Sequence, residues 1–226
     1  MKIILALLAI LAVPMSGYAQ MPFVMKPGVW TQYHNTPDAS LVAGPTLTAN
    51  PDGSLSEMIP PCVLNMRPNY LVANLGGKDI RAFKSVTFTV GVTVLAGTPK
   101  FVYWSPTNGC LGAGCNPVSV KVMIWGPSSD SSNTTNRWWA WLNAGDMVVL
   151  APGKFTVTVP LDGSHFGGVV GGSGMNKAGV VNPYFAASKA SVYAMGLAFG
   201  GGWYAGHGTC VNNGKASFQL YSYTLN

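Results

Sequence analysis

Two blocks of this chain concentrate side chains suited to recognition. The first, Asn133-Thr-Thr-Asn-Arg-Trp-Trp-Ala-Trp141, follows the polar run Pro127-Ser-Ser-Asp-Ser-Ser132. Read as a strand, it puts Trp139 and Trp141 on one face and Trp138 on the other, because side chains alternate across a sheet. One face would enter a core. The other would offer an aromatic platform to the C–H faces of a sugar, with Asn136 and Arg137 donating to its hydroxyls. The competing reading has the tryptophans close the open end of a sandwich. The second block is Gly196-Leu-Ala-Phe-Gly-Gly-Gly-Trp-Tyr-Ala-Gly-His-Gly-Thr-Cys210. Its glycines superficially match a phosphate-cradling loop, but such a loop opens a helix whose N-terminus faces the phosphate. Here Gly208-Thr-Cys-Val-Asn-Asn-Gly214 and a strand pattern follow, which excludes nucleotide binding. The glycines instead permit close backbone approach, and Trp203 and Tyr204 supply rigid area for a ligand ledge or for a hairpin corner fixed by Cys210.

Catalysis has weaker support. Beyond residue 19 the acidic residues are Asp38, Asp52, Glu57, Asp79, Asp130, Asp146 and Asp162. Glycoside hydrolysis needs two carboxylates flanking the scissile bond. No pair stands out here, and most of these residues neighbour Pro, Gly, Ser or Asn, as turn aspartates do. There is no G-x-S-x-G elbow, and Gly163-Ser164-His165 is only a sequence-adjacent Ser–His pair, whereas triads assemble in space. No catalytic residue is assigned. The histidines His34, His165 and His207 are far apart and no C-x-x-C pair occurs, so no metal or cofactor is expected.

The first nineteen residues set Lys2, the apolar run Ile3 to Val13 and Gly17-Tyr18-Ala19 before Gln20, the layout of a secretory signal peptide. Residues 1–19 are expected to be removed and 20–226 to be secreted or periplasmic. No cysteine follows the cleavage motif to take a lipid, and Tyr221-Ser-Tyr-Thr-Leu-Asn226 is no hydrophobic tail, so a soluble product without a membrane span is expected. Export makes disulfides the first reading of Cys62, Cys110, Cys115 and Cys210. Three connectivities are open. The glycine-rich Cys110-Leu-Gly-Ala-Gly-Cys115 suits a small local ring, which leaves Cys62 to pair with Cys210.

The elements that must position these residues are strands. Without residues 1–19 about 207 remain, enough for one large β domain. Only 9% of residues are charged, against roughly 25% in typical soluble domains, while 28 Gly and 16 Pro punctuate the chain with turns. Basic residues exceed acidic ones but are scattered, so no nucleic-acid patch is expected. Val86, Phe88, Val90, Val92 and Val94 alternate with Thr87, Thr89 and Thr93, the period of a half-buried strand. Val118, Val120, Val122 and Ile124 repeat it, with Ser119 and Lys121 on the opposite face. Phe155, Val157 and Val159 do so after the turn signal Ala151-Pro-Gly-Lys154. Further strands are expected at Val192 to Phe199 and Ser217 to Leu225, with shorter ones at Phe101 to Trp104 and Met147 to Leu150. Asn182-Pro183 predicts the start of one short helix reaching Lys189. Residues 20–74 are less regular and read as a wrap or as edge strands. The expectation is a single all-β domain over 20–226: an antiparallel sandwich of jelly-roll or Greek-key type with one short helix at most.

From about Phe83 to Leu225 the chain resembles secreted bacterial β-sandwich proteins of no established activity. The resemblance is carried by Asn136-Arg-Trp-Trp139, Lys154-Phe-Thr-Val-Thr-Val-Pro160, Gly196-Leu-Ala-Phe-Gly-Gly-Gly202 and Gly206-His-Gly208. In architecture it is similar to carbohydrate-binding modules and galactose-binding-like jelly rolls, and it carries over no functional residue. Non-catalytic glycan or polysaccharide binding is the leading expectation. The alternatives are a structural or protein-interaction component of the envelope or extracellular matrix, and a secreted hydrolase built on His165 or a carboxylate.

Overall fold

The computed structural model describes residues 20–35, 41–62, 67–103, 117–126, 138–141, 148–168, 173–201, 204–205 and 207–226. The expected signal peptide, Trp104, Cys110, Cys115, Asn136, Arg137 and Trp203 lie outside the described residues. In chain order the elements are β1 (Met21–Pro22), β2 (Trp30–Asn35), β3 (Leu41–Ala43), β4 (Thr48–Ala49), β5 (Leu55–Ile59), β6 (Arg67–Lys78), β7 (Ser85–Val102) and β8 (Ser119–Trp125). They continue with β9 (Trp138–Trp141), β10 (Val148–Val149), β11 (Gly153–Pro160), β12 (Phe166–Gly168), α1 (Pro183–Ala190), β13 (Val192–Gly201), β14 (Tyr204–Ala205) and β15 (Cys210–Leu225).

Two antiparallel sheets form the all-β sandwich that the period-two patterns predict. The first runs β11-β7-β15-β5-β4, with β1 added to β15. The second runs β12-β9-β8-β13-β6-β2-β3, with β10 on β8 and β14 on β13. Between them Val86, Phe88, Val90 and Val92 of β7 are buried together with Val120, Val122 and Ile124 of β8 and Met195, Leu197 and Phe199 of β13. Phe199 and Phe218 meet edge to face at 5.0 Å, and the Tyr223 hydroxyl donates to Gly196 O at 3.2 Å, so side chains of the first sheet reach the second. The alternation of β7 stops at Val92: β11 ends opposite that residue, and Val94 beyond it is exposed. On the outer face of the first sheet Thr87 pairs with Thr158 and Thr89 with Thr156 through hydroxyl contacts of 2.8 and 2.9 Å, the cross-strand pairing that suits a solvated β face.

The helix forms where Asn182-Pro183 predicts it. Asn182 Oδ1 accepts from Tyr184 N at 2.9 Å, and Phe185 and Ser188 are its buried residues. Among the described residues no helix is long and apolar enough to cross a membrane.

Three expectations differ from the structure. Residues 20–74 do supply the edge strands β3 and β4, but β6, which starts at Arg67, is interior, between β13 and β2. Its Tyr70-Leu-Val-Ala73 is buried on both faces, so it shows no alternation to mark it. The polar face expected of β8 is also wrong: Ser119 and Lys121 are buried, because that part of the second sheet is covered on its outer side as well. Finally, β15 begins at Cys210 rather than Ser217. The polar Asn212-Asn-Gly-Lys215 pairs with β7 through a bulge in which Asn213 takes φ 58°, a left-handed conformation that Asn tolerates.

Candidate binding face

Besides the core between the sheets, a second apolar cluster lies on the outer face of the second sheet. It joins Tyr70, Val72, Met123, Trp125, Ala140, Ala194 and Ala198, with Tyr33 packed against it. Register explains the grouping. Lys121, Ala198, Tyr70 and Tyr33 follow one another across β8, β13, β6 and β2. Two rows along the same face, beyond Met123, Gly196 and Val72, Trp138 pairs with Trp125, which pairs with Ala194. The Trp125 and Tyr70 rings belong to strands separated by β13, yet their centroids are 5.5 Å apart, and Tyr33 is also 5.5 Å from Trp125. They meet because β13 presents only Ala194, Gly196 and Ala198 on that face. Gly196 is required there, since a Cβ would overlap Leu71 O and the Val72 backbone of β6.

Trp125 and Tyr70 are 6% and 7% exposed, and Tyr33 is half-buried. Lys121 is fully buried beside them. Burial penalises its charged form and pushes the amine down to about 8, and it pushes the Tyr70 phenol up to about 12. Chemically, the face combines flat apolar rings, a small-residue floor and one amine. Among the described side chains of this cluster Tyr33 is the partly open one, while Trp125, Tyr70 and the Lys121 amine are buried behind it.

The residues singled out in the sequence are divided by the structure. Trp139 is a core residue: it is fully buried, its ring meets Phe185 edge to face at 5.1 Å, and its Nε1 donates to Ser188 Oγ at 3.1 Å. It therefore has no surface to give a ligand. Trp138 occupies the register position beside Trp125, Trp141 pairs with Phe166, and Tyr204 pairs with Gly201. The glycine block does permit close approach: a Cβ at Gly201 would overlap the Tyr103 ring. Asp52, Asp79 and Asp162 each accept from the backbone N–H two residues on, so they are committed to their own turns. The adjacent Arg81 guanidinium holds Asp79 down to about 2. Cys62 and Cys210 form a disulfide between residues 148 apart in sequence. Among the described residues no group of three or more His, Cys, Asp or Glu side chains is placed to hold a metal ion.

Tyr33, Tyr70, Trp125 and Lys121 were not singled out as a site by the sequence. One signal was available. In Ala194-Met-Gly-Leu-Ala-Phe-Gly200 small residues alternate with large ones, so the large ones fill the core while the small ones leave room for rings from neighbouring strands.

No family model matches this chain, and no curated protein matches it. Among solved structures it is similar to the family 11 carbohydrate-binding module from Clostridium thermocellum in complex with a beta-1,3-1,4-mixed-linked tetrasaccharide. The TM-score is 0.45 and the identity 10%, over 91% of this chain and 94% of that one. A likeness of that level carries no functional argument.

Proposed function

We propose that this chain is a non-catalytic glycan-binding protein whose saccharide stacks on the outer face of the second sheet. The observation that supports the reading is the Tyr33–Trp125–Tyr70 ring cluster over Ala194, Gly196 and Ala198. Tyr33 is its partly open ring, and Trp138 holds the adjoining register position. Sugar C–H faces pack on aromatic faces, and Asn136 and Arg137, which precede β9, supply donors for hydroxyls in this reading. Trp139, on the core face of β9, does not belong to the proposed surface.

Affinity electrophoresis on a panel of soluble polysaccharides tests this. At least one polysaccharide should retard the protein, and Y33A and W138A should each relieve that retardation while W139F keeps it. No retardation across the panel, or retardation unchanged in a Y33A/W138A double variant, refutes the reading. A stable protein complex from native extracts that ignores added sugar would favour the envelope or matrix alternative.

A further inference from the structure

An open strand edge offers its main-chain groups to any other strand, so natural edges are kept short, charged, bulged or broken by proline. Four strands terminate the two sheets of this sandwich. β3, β4 and β12 have three, two and three residues, whereas β11 has eight. Its register against β7 runs without a bulge from Gly153 to Pro160. Lys154 and Pro160 stand at its two ends, but Lys154 Nζ lies 3.7 Å from the centroid of the Tyr221 ring, drawn onto its own sheet. Between them Phe155-Thr-Val-Thr-Val159 carries neither charge nor proline.

The phase of the hydrogen bonds decides which main-chain groups stay open. Ser85 and Asn226 exchange both main-chain bonds, at 3.1 and 2.9 Å, so Ser85 faces β15 and, by alternation, Val86, Phe88 and Val90 face β11. Their register partners Val159, Val157 and Phe155 therefore face back to β7, in phase with Leu161 N, which donates to Lys84 O at 2.8 Å. Lys154, Thr156, Thr158 and Pro160 point their main-chain groups away from the sheet, where no described strand pairs with them. Pro160 fits that phase, because the N–H it lacks would face outward. Phe155 and Val157 are only partly buried, although their partners Val90 and Phe88 are 2% and 0% exposed, so the core stays open along this edge.

We propose that β11 pairs with β11 of a second copy of this chain, antiparallel about a two-fold axis at Val157, so that the two first sheets become one continuous sheet. A two-fold contact needs a self-complementary segment, and Phe155-Thr-Val-Thr-Val159 is one. Thr156 meets the second copy's Thr158 and exchanges both main-chain bonds with it, twice by symmetry. These pairs continue the threonine ladder that Thr156 and Thr158 already form with Thr89 and Thr87. Lys154 N donates to the second copy's Pro160 O, the one bond such a pair can make. On the inner face Val157 meets Val157 and Phe155 meets Val159, which covers the apolar area left open. Neighbouring registers fit less well. An axis at Thr158 sets Thr156 against Pro160, which cannot donate, and an axis at Thr156 sets Thr158 against Lys154. The dimer stands whether or not the outer face of the second sheet binds saccharide.

Sedimentation equilibrium of the protein over a concentration series tests this. A contact through one strand is a small and therefore weak interface, so the average mass should approach that of two chains by about 100 µM. Thr156→Pro removes an outward N–H that β7 does not use and should hold the protein as a monomer at that concentration. T89V, which loses a hydroxyl pair but leaves the edge intact, should remain a dimer. Val157→Cys sets two thiols across the axis at a non-hydrogen-bonded pair, with Cα atoms about 4.5 Å apart and within disulfide range, so mild oxidation should link them. A monomer at every concentration, a dimer unaffected by T156P, or a V157C protein without the linkage between its two copies of residue 157 in peptide mapping overturns the proposal. Should T156P fail to fold, the mass of the parent protein and the V157C linkage decide.

Discussion

The Trp139–Ser188 contact offers a sharp test of how the helix is held and of why one tryptophan of the aromatic block is not a ligand residue. Trp139 Nε1 donates to Ser188 Oγ at 3.1 Å with both residues buried, and the indole edge meets the Phe185 ring at 5.1 Å. Ser188→Ala leaves the indole N–H buried without an acceptor, which costs about 2 kcal/mol. Trp139→Phe keeps a ring against Phe185 but deletes the donor and leaves a void, for a loss of about 3 kcal/mol. In the double variant no orphaned group remains, so the loss should fall short of the sum by about 1 kcal/mol. Urea denaturation of the four proteins measures these values, provided the m-values agree. If the two losses add to within about 0.3 kcal/mol, the hydrogen bond contributes nothing and the docking of α1 must be assigned to Phe185 alone.

Further expectations follow from the same structure. Replacing both cysteines of the Cys62–Cys210 disulfide with alanine should lower stability by about 5 kcal/mol, the chain-entropy figure for a loop closed by residues 148 apart; a loss under about 1 kcal/mol would show that the unfolded chain is already constrained. Lys121 is pushed down to about 8 from an ordinary 10.5, so between those values the unfolded chain holds a proton that the folded chain releases and stability rises with pH. Chemical denaturation should show a gain of about 2 kcal/mol from pH 8 to pH 10 that K121M abolishes; a flat profile in the parent protein contradicts the burial argument. Asn182→Ala removes the N-cap acceptor of α1 and should cost about 1 kcal/mol, read as a lowered urea midpoint, whereas an unchanged midpoint would mean the cap contributes nothing.

Sequence alone determined the features written in local chemistry. The alternation Val86-Thr-Phe-Thr-Val90 gives a strand with one buried face, Lys154-Phe-Thr-Val-Thr-Val-Pro160 gives its neighbour, and Asn182-Pro183 gives the helix start. Each depends on residues within a few positions of one another, where period and capping operate. The sequence left three connectivities open, the short spacing of Cys110 and Cys115 favouring Cys62 with Cys210, and the structure shows that pair. Alternation groups residues by face but does not say which face is covered, so Trp139 was legible as opposing Trp138 and not as the core member of the pair. Tertiary structure alone decided that Lys121 is buried, that β6 is interior, and that Tyr33, Tyr70 and Trp125 share one face. It alone buried Gln32 and His34 on β2 and Glu57 on β5. All of these depend on which distant strands lie side by side, and that is fixed by packing two sheets against each other over long sequence separations rather than by any pattern within one strand.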